Sequence, residues 1–236
     1  VGAPHEVMQA WRGVDIKAAI EAVSRWPVYV CNDATGACAA ELVFGNGNHY
    51  LDFLYVFIGW FIGGGVVLSG SLFPGRSGYA GAVGPLPVPT GAPNGRLRFQ
   101  QLLRSASTYT LERRIKLAGG DPRAVWESPE DWSAIEPYVE EWIEAIAGDL
   151  ALAVVSAVSI IDFQAVVIDG AFPTSVRNRI VARIRERVCE FDQQGLSPYT
   201  VAEGAIGAGA RAIGGACLPL LAKFARDRDV LFRETL

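Results

Sequence analysis

The sequence predicts an α/β fold, because apolar runs rich in β-branched and aromatic residues alternate with helical patterns. Strand-like runs occupy residues 53–58, 66–68 and 163–168. Directly after the third run, apolar residues recur at helical spacing over residues 174–191. These observations favour a mixed sheet flanked by helices.

The N-terminal region is predicted to hold an amphipathic helix that begins after Asp15, a plausible N-cap. A strand at residues 28–31 is expected to stop at Asn32 and Asp33, and a helix of small residues to follow at 34–44. The carboxylate of Asp33 thus lies at a helix start, where the helix dipole favours negative charge. The sequence leaves both a helix-capping role and a catalytic role open for Asp33.

Gly63, Gly64 and Gly65 are predicted to join two buried strands, 53–58 and 66–68. Three glycines without side chains allow a close approach of backbone to another group. A core hairpin is the plainer interpretation of this segment. A membrane span is not expected, because the uncharged run is shorter than the roughly 20 residues needed and no Lys or Arg cluster flanks it.

Beyond the glycines, residues 85–95 read as an irregular loop and 97–117 as a helix. Shorter helices at Asp121 and Ser128 precede a long helix over 138–161. Asp169 closes the next strand and is predicted to be a turn residue. The arginines of 174–191 are expected to form a solvated face rather than a phosphate-binding one.

Composition limits the function classes. The chain has 236 residues, enough for one large domain or one and a half. A net charge of −4 and a pI of about 5.3 argue against nucleic-acid binding over the whole surface. Four cysteines without a C-x-x-C pair predict reduced, mostly buried thiols in a cytoplasmic protein, and two histidines make a zinc site unexpected.

Two segments, VYVCNDATGACAAE at residues 28–41 and the glycine-rich residues 58–84, resemble segments of the ROK family (repressors, open reading frames and sugar kinases). The segment VYVCNDATGACAAE is similar to a family motif with Asn32, Asp33, Ala34 and Glu41 in register. Residues 58–84 resemble the glycine-rich family signature, and the matching positions are Gly59, Ile62, Gly63, Gly64, Gly65, Gly70, Gly75, Gly78, Ala80, Gly81 and Gly84. So many glycines at matching spacing make the signal fairly specific.

The resemblance implies an actin-like ATPase (RNase H-like) lobe. Residues 1–50 would end the N-terminal lobe and hinge, and 51–236 would form the larger C-terminal lobe. The family's N-terminal D-x-G-G-T motif and a helix-turn-helix are absent from this chain, which is therefore expected to be a fragment. By the same resemblance, Asn32 and Asp33 would bind sugar hydroxyls. In a kinase, Asp33 would be the general base, and the phosphate- or nucleotide-binding positions would be Gly59, Gly63, Gly64, Gly65, Gly204 and Gly207.

Several departures from the family pattern bear on catalysis. Ala82 and Pro85 replace a Glu and a His that contact sugar and zinc in the family, and the cysteine-rich zinc loop is missing. Trp60 and Phe61 replace a small Thr-Gly pair, and their bulk is predicted to fill space beside the phosphate site. Asp169 replaces a glycine, where it would repel phosphates. As a kinase, the chain looks disabled.

Two main functions remain, beside a third possibility, a scaffold that binds neither sugar nor nucleotide. The first is the effector-sensing region of a carbohydrate-responsive transcriptional regulator, which binds a sugar or sugar phosphate, dimerises, needs no cofactor or zinc, and reaches DNA only through an upstream domain. The second is a sugar kinase that uses ATP and Mg²⁺, with Asp33 as the base. The lost family residues favour the first. No membrane association is expected.

Overall fold

The computed structural model describes residues 4–91 and 96–224 and divides into two compact units, Val1–Cys31 and Asn32–Leu236. The first unit holds α1 (His5–Trp11) and α2 (Ile16–Ser24). Asp15 caps α2 as predicted, since its carboxylate accepts a hydrogen bond of 3.0 Å from the backbone N–H of Ala18. The predicted strand at residues 28–31 is wrong. A strand needs a neighbour for its backbone groups, and none of the described strands pairs with this segment.

The second unit is built on a mixed sheet. The described strands are β1 (Phe53–Ile58), β2 (Ile62–Leu68), β3 (Ser71–Phe73), β4 (Pro87–Thr90), β5 (Arg98–Gln101), β6 (Ala165–Gly170) and β7 (Thr200–Glu203). Five of them form one sheet in the order β3-β2-β1-β6-β7. β1 pairs antiparallel with β2 and parallel with β6, and β7 is parallel to β6. β4 and β5 form a separate antiparallel ribbon.

Helices cover both faces of this sheet. They are α3 (Asp33–Phe44), α4 (Thr108–Leu117), α5 (Ala124–Glu127), α6 (Glu136–Ile161), α7 (Thr174–Val188) and α8 (Ala210–Phe224). Alternate residues of β1 point to opposite sides: Tyr55 and Phe57 join a small core with α3 and α8, whereas Val56 and Ile58 join a larger core with α4, α6 and α7. β1 is therefore buried on both faces, as predicted.

The triple glycine lies inside β2, not between two strands as predicted. The β1–β2 turn falls at residues 59–61, and the glycines pair with Phe57, Val56 and Tyr55. The reason is close packing by α3. A Cβ at Gly63 would lie 2.8 Å from the Cβ of Ala34, and one at Gly65 would lie 2.5 Å from the Cβ of Cys38.

Some of the other predicted elements are confirmed and others are wrong. The long helix and the 174–191 helix are confirmed as α6 and α7, and the 163–168 strand is confirmed two residues further on as β6. The predicted helix at 97–117 is wrong in its first half, because residues 98–101 pair with β4 and α4 begins only at Thr108. The loop predicted at 85–95 contains β4, and its residues 92–95 lie outside the described residues.

Among the described residues, one helical stretch, Ser133–Ile161, is long and apolar enough to cross a membrane by length and composition. In this structure 44% of its most apolar window is buried inside the protein. Its side chains Trp142, Ile146 and Leu150 are almost completely buried in the larger core. A core helix of a soluble protein passes the same test, so the stretch is weak evidence for a membrane span.

Candidate functional site

A cavity of about 360 Å³ opens where the start of α3 meets the β1–β2 turn. This volume lies in the range of roughly 300–1,000 Å³ that is typical of small-molecule pockets. The cavity is lined by Asn32, Asp33, Ala34, Thr35, Phe57, Trp60, Phe61, Ile62, Gly63, Gly64, Tyr79, Ala80, Ala82, Gly84, Pro85, Leu103 and Arg211. The structure thus brings together four of the sequence-predicted site residues, Asn32, Asp33, Gly63 and Gly64.

The start of α3 presents Asn32 and Asp33 to the cavity. Asn32 is the N-cap, and its side-chain oxygen accepts a hydrogen bond of 3.0 Å from the N–H of Ala34. Asp33 accepts from the same N–H through Oδ1 at 2.9 Å. The capping role therefore belongs to Asn32, and the Asp33 side chain stays 66% exposed. Its second oxygen, Oδ2, does not take part in this capping bond and has a different partner.

That partner is Arg211, in the first turn of α8. One guanidinium nitrogen, Nη1, lies 3.3 Å from Oδ2 of Asp33. The guanidinium carbon lies 5.3 Å from the centre of the Phe57 ring, within range of a cation–π contact. Sequence reasoning missed Arg211. The one available signal was a single charged side chain inside the Gly- and Ala-rich segment 204–216.

The other predicted glycines lie outside the cavity lining that the structure describes: Gly59, Gly65, Gly204 and Gly207. Gly204 packs against Asp169, since a Cβ there would lie 2.4 Å from the Cβ of that residue. Gly207 adopts a φ of +74° and donates its N–H to Oδ2 of Asp169 at 2.9 Å. A nucleotide-binding role for these glycines stays a prediction.

Asp169 is not a turn residue, contrary to the prediction, but a fully buried member of β6. Nη1 of Arg177 lies 3.0 Å from its Oδ1, and the hydroxyl of Tyr55 donates to its Oδ2 at 2.9 Å. Burial, together with the Asp169 charge, raises the pKa of Tyr55 well above its ordinary value. Arg177 is thus buried beside an acid, although the sequence placed it on a solvated face.

The remaining arginines of α7 face solvent and form ion pairs with acids of α6, α7 and β7. Arg179 pairs with Glu136 and Glu140, and Arg183 pairs with Glu144 and Glu186. These pairs leave little free positive charge on the helix. The prediction of a solvated, charge-rich face is confirmed for this part of α7.

Glu41, the last matching residue of the α3 motif, is buried and ties α3 to two other segments. Its Oε1 accepts from the N–H and the side-chain amide of Asn46, at 3.0 and 2.6 Å, and its Oε2 accepts from the N–H of Ala205 at 3.0 Å. Burial raises the pKa of Glu41, and these hydrogen bonds only partly offset that effect. Glu41 thereby links α3 to the segments that contain Asn46 and Ala205.

One wall of the cavity comes from the loop that contains Ala82 and Pro85. These two positions therefore present a methyl group and a prolyl ring to the cavity. Neither side chain offers a hydrogen bond to a ligand. The charged side chains of the cavity lining are Asp33 and Arg211, and Asn32 adds an amide.

An aromatic rim borders the cavity and consists of Trp60, Phe61, Tyr109 and Trp126. The Trp60 ring centre lies 6.3 Å from that of Phe61, 6.0 Å from Tyr109 and 5.5 Å from Trp126. Trp60 and Phe61 were predicted to fill space at the phosphate site. The structure shows that they line an open cavity and remain about 40% exposed.

Within residues 4–91 and 96–224, no three His, Cys, Asp or Glu side chains come together as metal ligands. The sequence region in which the family's zinc loop would fall is occupied instead by the β4–β5 ribbon. That a zinc site is not used remains a prediction.

Comparison with known proteins agrees with this architecture. Residues 3–220 match the ROK family over most of the chain. The chain belongs to the ROK family. Its sheet, with helices on both faces, has the actin-like ATPase fold of the ROK kinases.

Three similar proteins illustrate the range of the family. The uncharacterized protein y4fQ of Sinorhizobium fredii is 30% identical over 84% of this chain and 48% of its own length. The xylose repressor of Bacillus subtilis is 32% identical over 35% of this chain and 22% of its own. A ROK family glucokinase from Streptomyces griseus, crystallised with glucose and AMPPNP, has a TM-score of 0.66 at 20% identity, covering 86% of this chain and 71% of the glucokinase.

The match thus spans about half of the first of these relatives and about a fifth of the second. The ROK family contains both transcriptional regulators and sugar kinases, and this chain is similar to members of both classes.

Proposed function

We propose that this chain is the carbohydrate-sensing region of a ROK-family transcriptional regulator, and that it binds a sugar effector without phosphorylating it. The observation that carries the proposal is the ion pair between Asp33 and Arg211 in the cavity wall. A carboxylate accepts hydrogen bonds and a guanidinium donates them, so the two side by side suit neighbouring hydroxyl groups of one sugar. Asn32 adds an amide at the same wall.

The same ion pair argues against phosphoryl transfer. That reaction needs a free base for the sugar hydroxyl and positive charge for the phosphates. Among the described cavity residues Arg211 is the one cationic side chain, and it contacts the carboxylate that would serve as base. This set of donors therefore favours a neutral sugar over a nucleoside triphosphate with its metal ion, and ATP and Mg²⁺ have no role in this proposal.

The regulator reading is supported by the similarity to a xylose repressor. In this proposal DNA is read by a domain outside this chain, the lobe forms a homodimer, and the protein acts in the cytoplasm. The alternative is a ROK sugar kinase with Asp33 as general base. The likeness of the fold to a glucokinase favours that alternative only at the level of fold.

Thermal-shift measurements with D-xylose, D-glucose, glucose 6-phosphate and ATP with Mg²⁺ separate the two functions. A ligand that binds the folded state alone must raise the melting temperature. We expect stabilisation by a sugar, none by ATP, and no ADP release when both are present. Stabilisation by ATP together with sugar-dependent ADP release would establish the kinase and refute the proposal.

Asp33→Ala should weaken sugar binding and leave the fold intact. Loss of a ligand hydrogen bond to a charged group costs about 1.5–3 kcal/mol, or roughly tenfold to more than a hundredfold in Kd. Asp192→Ala is the matched control, because Asp192 is also exposed and also accepts from a backbone N–H, that of Gln194. Equal sugar affinity in Asp33→Ala and the control, measured by calorimetry, would remove Asp33 from the site.

A further inference from the structure

The aromatic rim has no role in the sugar site described so far. Of its four residues, Trp60, Phe61 and Trp126 keep 39%, 42% and 41% of their surface exposed. Trp132 and Trp142, in contrast, are buried and pack edge-to-face with Phe172 in the larger core. An exposed group of touching aromatic rings at a cavity mouth is therefore not explained by core packing.

We infer that the aromatic rim is a second saccharide subsite, so that the natural ligand is a neutral oligosaccharide or glycoside rather than a single sugar. The first sugar unit lies against Asp33 and Arg211, and the next unit stacks on Trp60. This inference rests on the proposed function and names the ligand class of the same site.

Two polar groups of the rim, those of Trp126 and Tyr109, are hydrogen-bonded within the protein. The indole N–H of Trp126 donates to Oε1 of Glu112, and the Tyr109 hydroxyl donates to the carbonyl of Arg104 at 3.2 Å. These bonds fix the rings of Tyr109 and Trp126, and Trp60 contacts both of them. The rim is thus braced before a ligand arrives, and braced rings lose little conformational freedom on binding.

The chemistry of the rim favours a sugar. The face of an aromatic ring carries partial negative charge and attracts the weakly positive C–H groups on the flat side of a pyranose. Trp60 and Phe61 both line the cavity that contains Asp33, so a ligand held at Asp33 can continue onto the rim.

A nucleotide fits the surrounding charges poorly. A nucleobase would also stack on an indole, but its phosphates need cations. Among the described cavity residues Arg211 is already paired with Asp33, and the carboxylate of Glu112 lies beside Trp126. A neutral saccharide meets no such repulsion.

Calorimetric titration of the whole chain tests this inference with matched ligands: D-glucose against maltose and cellobiose, D-xylose against xylobiose, and adenosine. The variants are Trp60→Ala, Trp60→Phe and Phe61→Ala. Phe73→Ala is the control for Phe61→Ala, because Phe73 is an exposed aromatic residue of similar exposure, 47%, on β3 and outside the cavity lining.

We expect one disaccharide to bind about tenfold more tightly than its monosaccharide, the size of effect typical of one aromatic contact. Trp60→Ala should abolish this preference while changing monosaccharide affinity less than twofold. Phe61→Ala should reduce the preference, whereas Trp60→Phe and Phe73→Ala should keep most of it.

Three results would overturn the inference and leave the proposed function standing. These are equal binding of monosaccharide and disaccharide by the unaltered chain, an equal loss of both in Trp60→Ala, or a preference that survives in Trp60→Ala. Binding of adenosine that Trp60→Ala abolishes would assign the rim to a nucleobase and also overturn it. If none of the sugars binds, the proposed function itself fails, and the inference fails with it.

Discussion

Replacing Arg177 with Met should destabilise the protein by about 3–5 kcal/mol, because Asp169 would remain buried without its ionic partner. Asp169 has no exposed surface, and Nη1 of Arg177 lies 3.0 Å from its Oδ1. After the substitution three neutral donors would remain on the carboxylate: the Tyr55 hydroxyl and the N–H groups of Gly170 and Gly207, each at 2.9 Å. Hydrogen bonds from neutral groups do not neutralise the charge.

The measurement is urea denaturation followed by circular dichroism. In a thermal melt of a chain of this length, a loss of about 3–5 kcal/mol in the free energy of unfolding corresponds to a fall in melting temperature of roughly 6–20 °C. Arg183→Met is the matched control on the same helix. Arg183 is about one third exposed and pairs with two acids, so its loss should cost less than about 1 kcal/mol.

A double variant, Arg177→Met with Asp169→Asn, isolates the interaction. Removing both charges should recover part of the lost stability, with a coupling energy of about 0.5–3 kcal/mol. The reasoning is refuted if Arg177→Met costs no more than Arg183→Met, or if the double variant loses the full sum of the two single losses.

Two further predictions concern the packing around α3. Burial raises the pKa of Glu41 above its ordinary value of 4.5, so its stabilising contribution should be greatest below that pH and fall as pH rises through the raised value. Glu41→Gln should remove this fall from a plot of urea midpoint against pH, and an unchanged slope would contradict it. Gly214→Ala should cost about 1–3 kcal/mol, because its Cβ would lie 1.7 Å from the carbonyl oxygen of Gly36. Gly215→Ala, whose Cβ would meet nothing within 4 Å, should be neutral or slightly stabilising, and equal urea midpoints for the two variants would disprove the packing argument.

Much of the fold could be predicted from local sequence patterns. The bounds predicted for β1 are those observed, and α3 begins one residue earlier than predicted. α6 and α7 follow their apolar periodicity to within a few residues. Each of these elements depends on side chains within one or two turns or strand steps, so a short window of sequence holds the required information.

The strands that depend on distant partners were not found in this way. β7 is one example, since its strand partner is β6. β5 is another, because it pairs with β4, and without that partner the pattern of residues 98–101 predicts a helix. The three glycines of β2 correctly predicted that another group packs closely against this strand. They did not reveal that this group is α3.

The candidate site likewise contains residues that the sequence could identify and one that it could not. Asn32 and Asp33 could be identified because a strand-like run gives way to a helix there, and a helix start favours such residues. Their grouping with Gly63 and Gly64 was implied by family resemblance, and the structure places all four at one cavity. Arg211 could not be linked to Asp33, since 178 residues separate the two.

The sequence by itself determined the α/β class, the main helices and the polar start of α3, because capping and apolar periodicity act between near neighbours. Only the tertiary structure decided that Asp33 is paired with Arg211, that Asp169 is a buried acid rather than a turn residue, and that Trp60 belongs to an open aromatic rim. Each of these depends on which distant segments the sheet and its helices bring within a few ångströms. Such proximity is a property of the packed chain, and no short stretch of sequence records it.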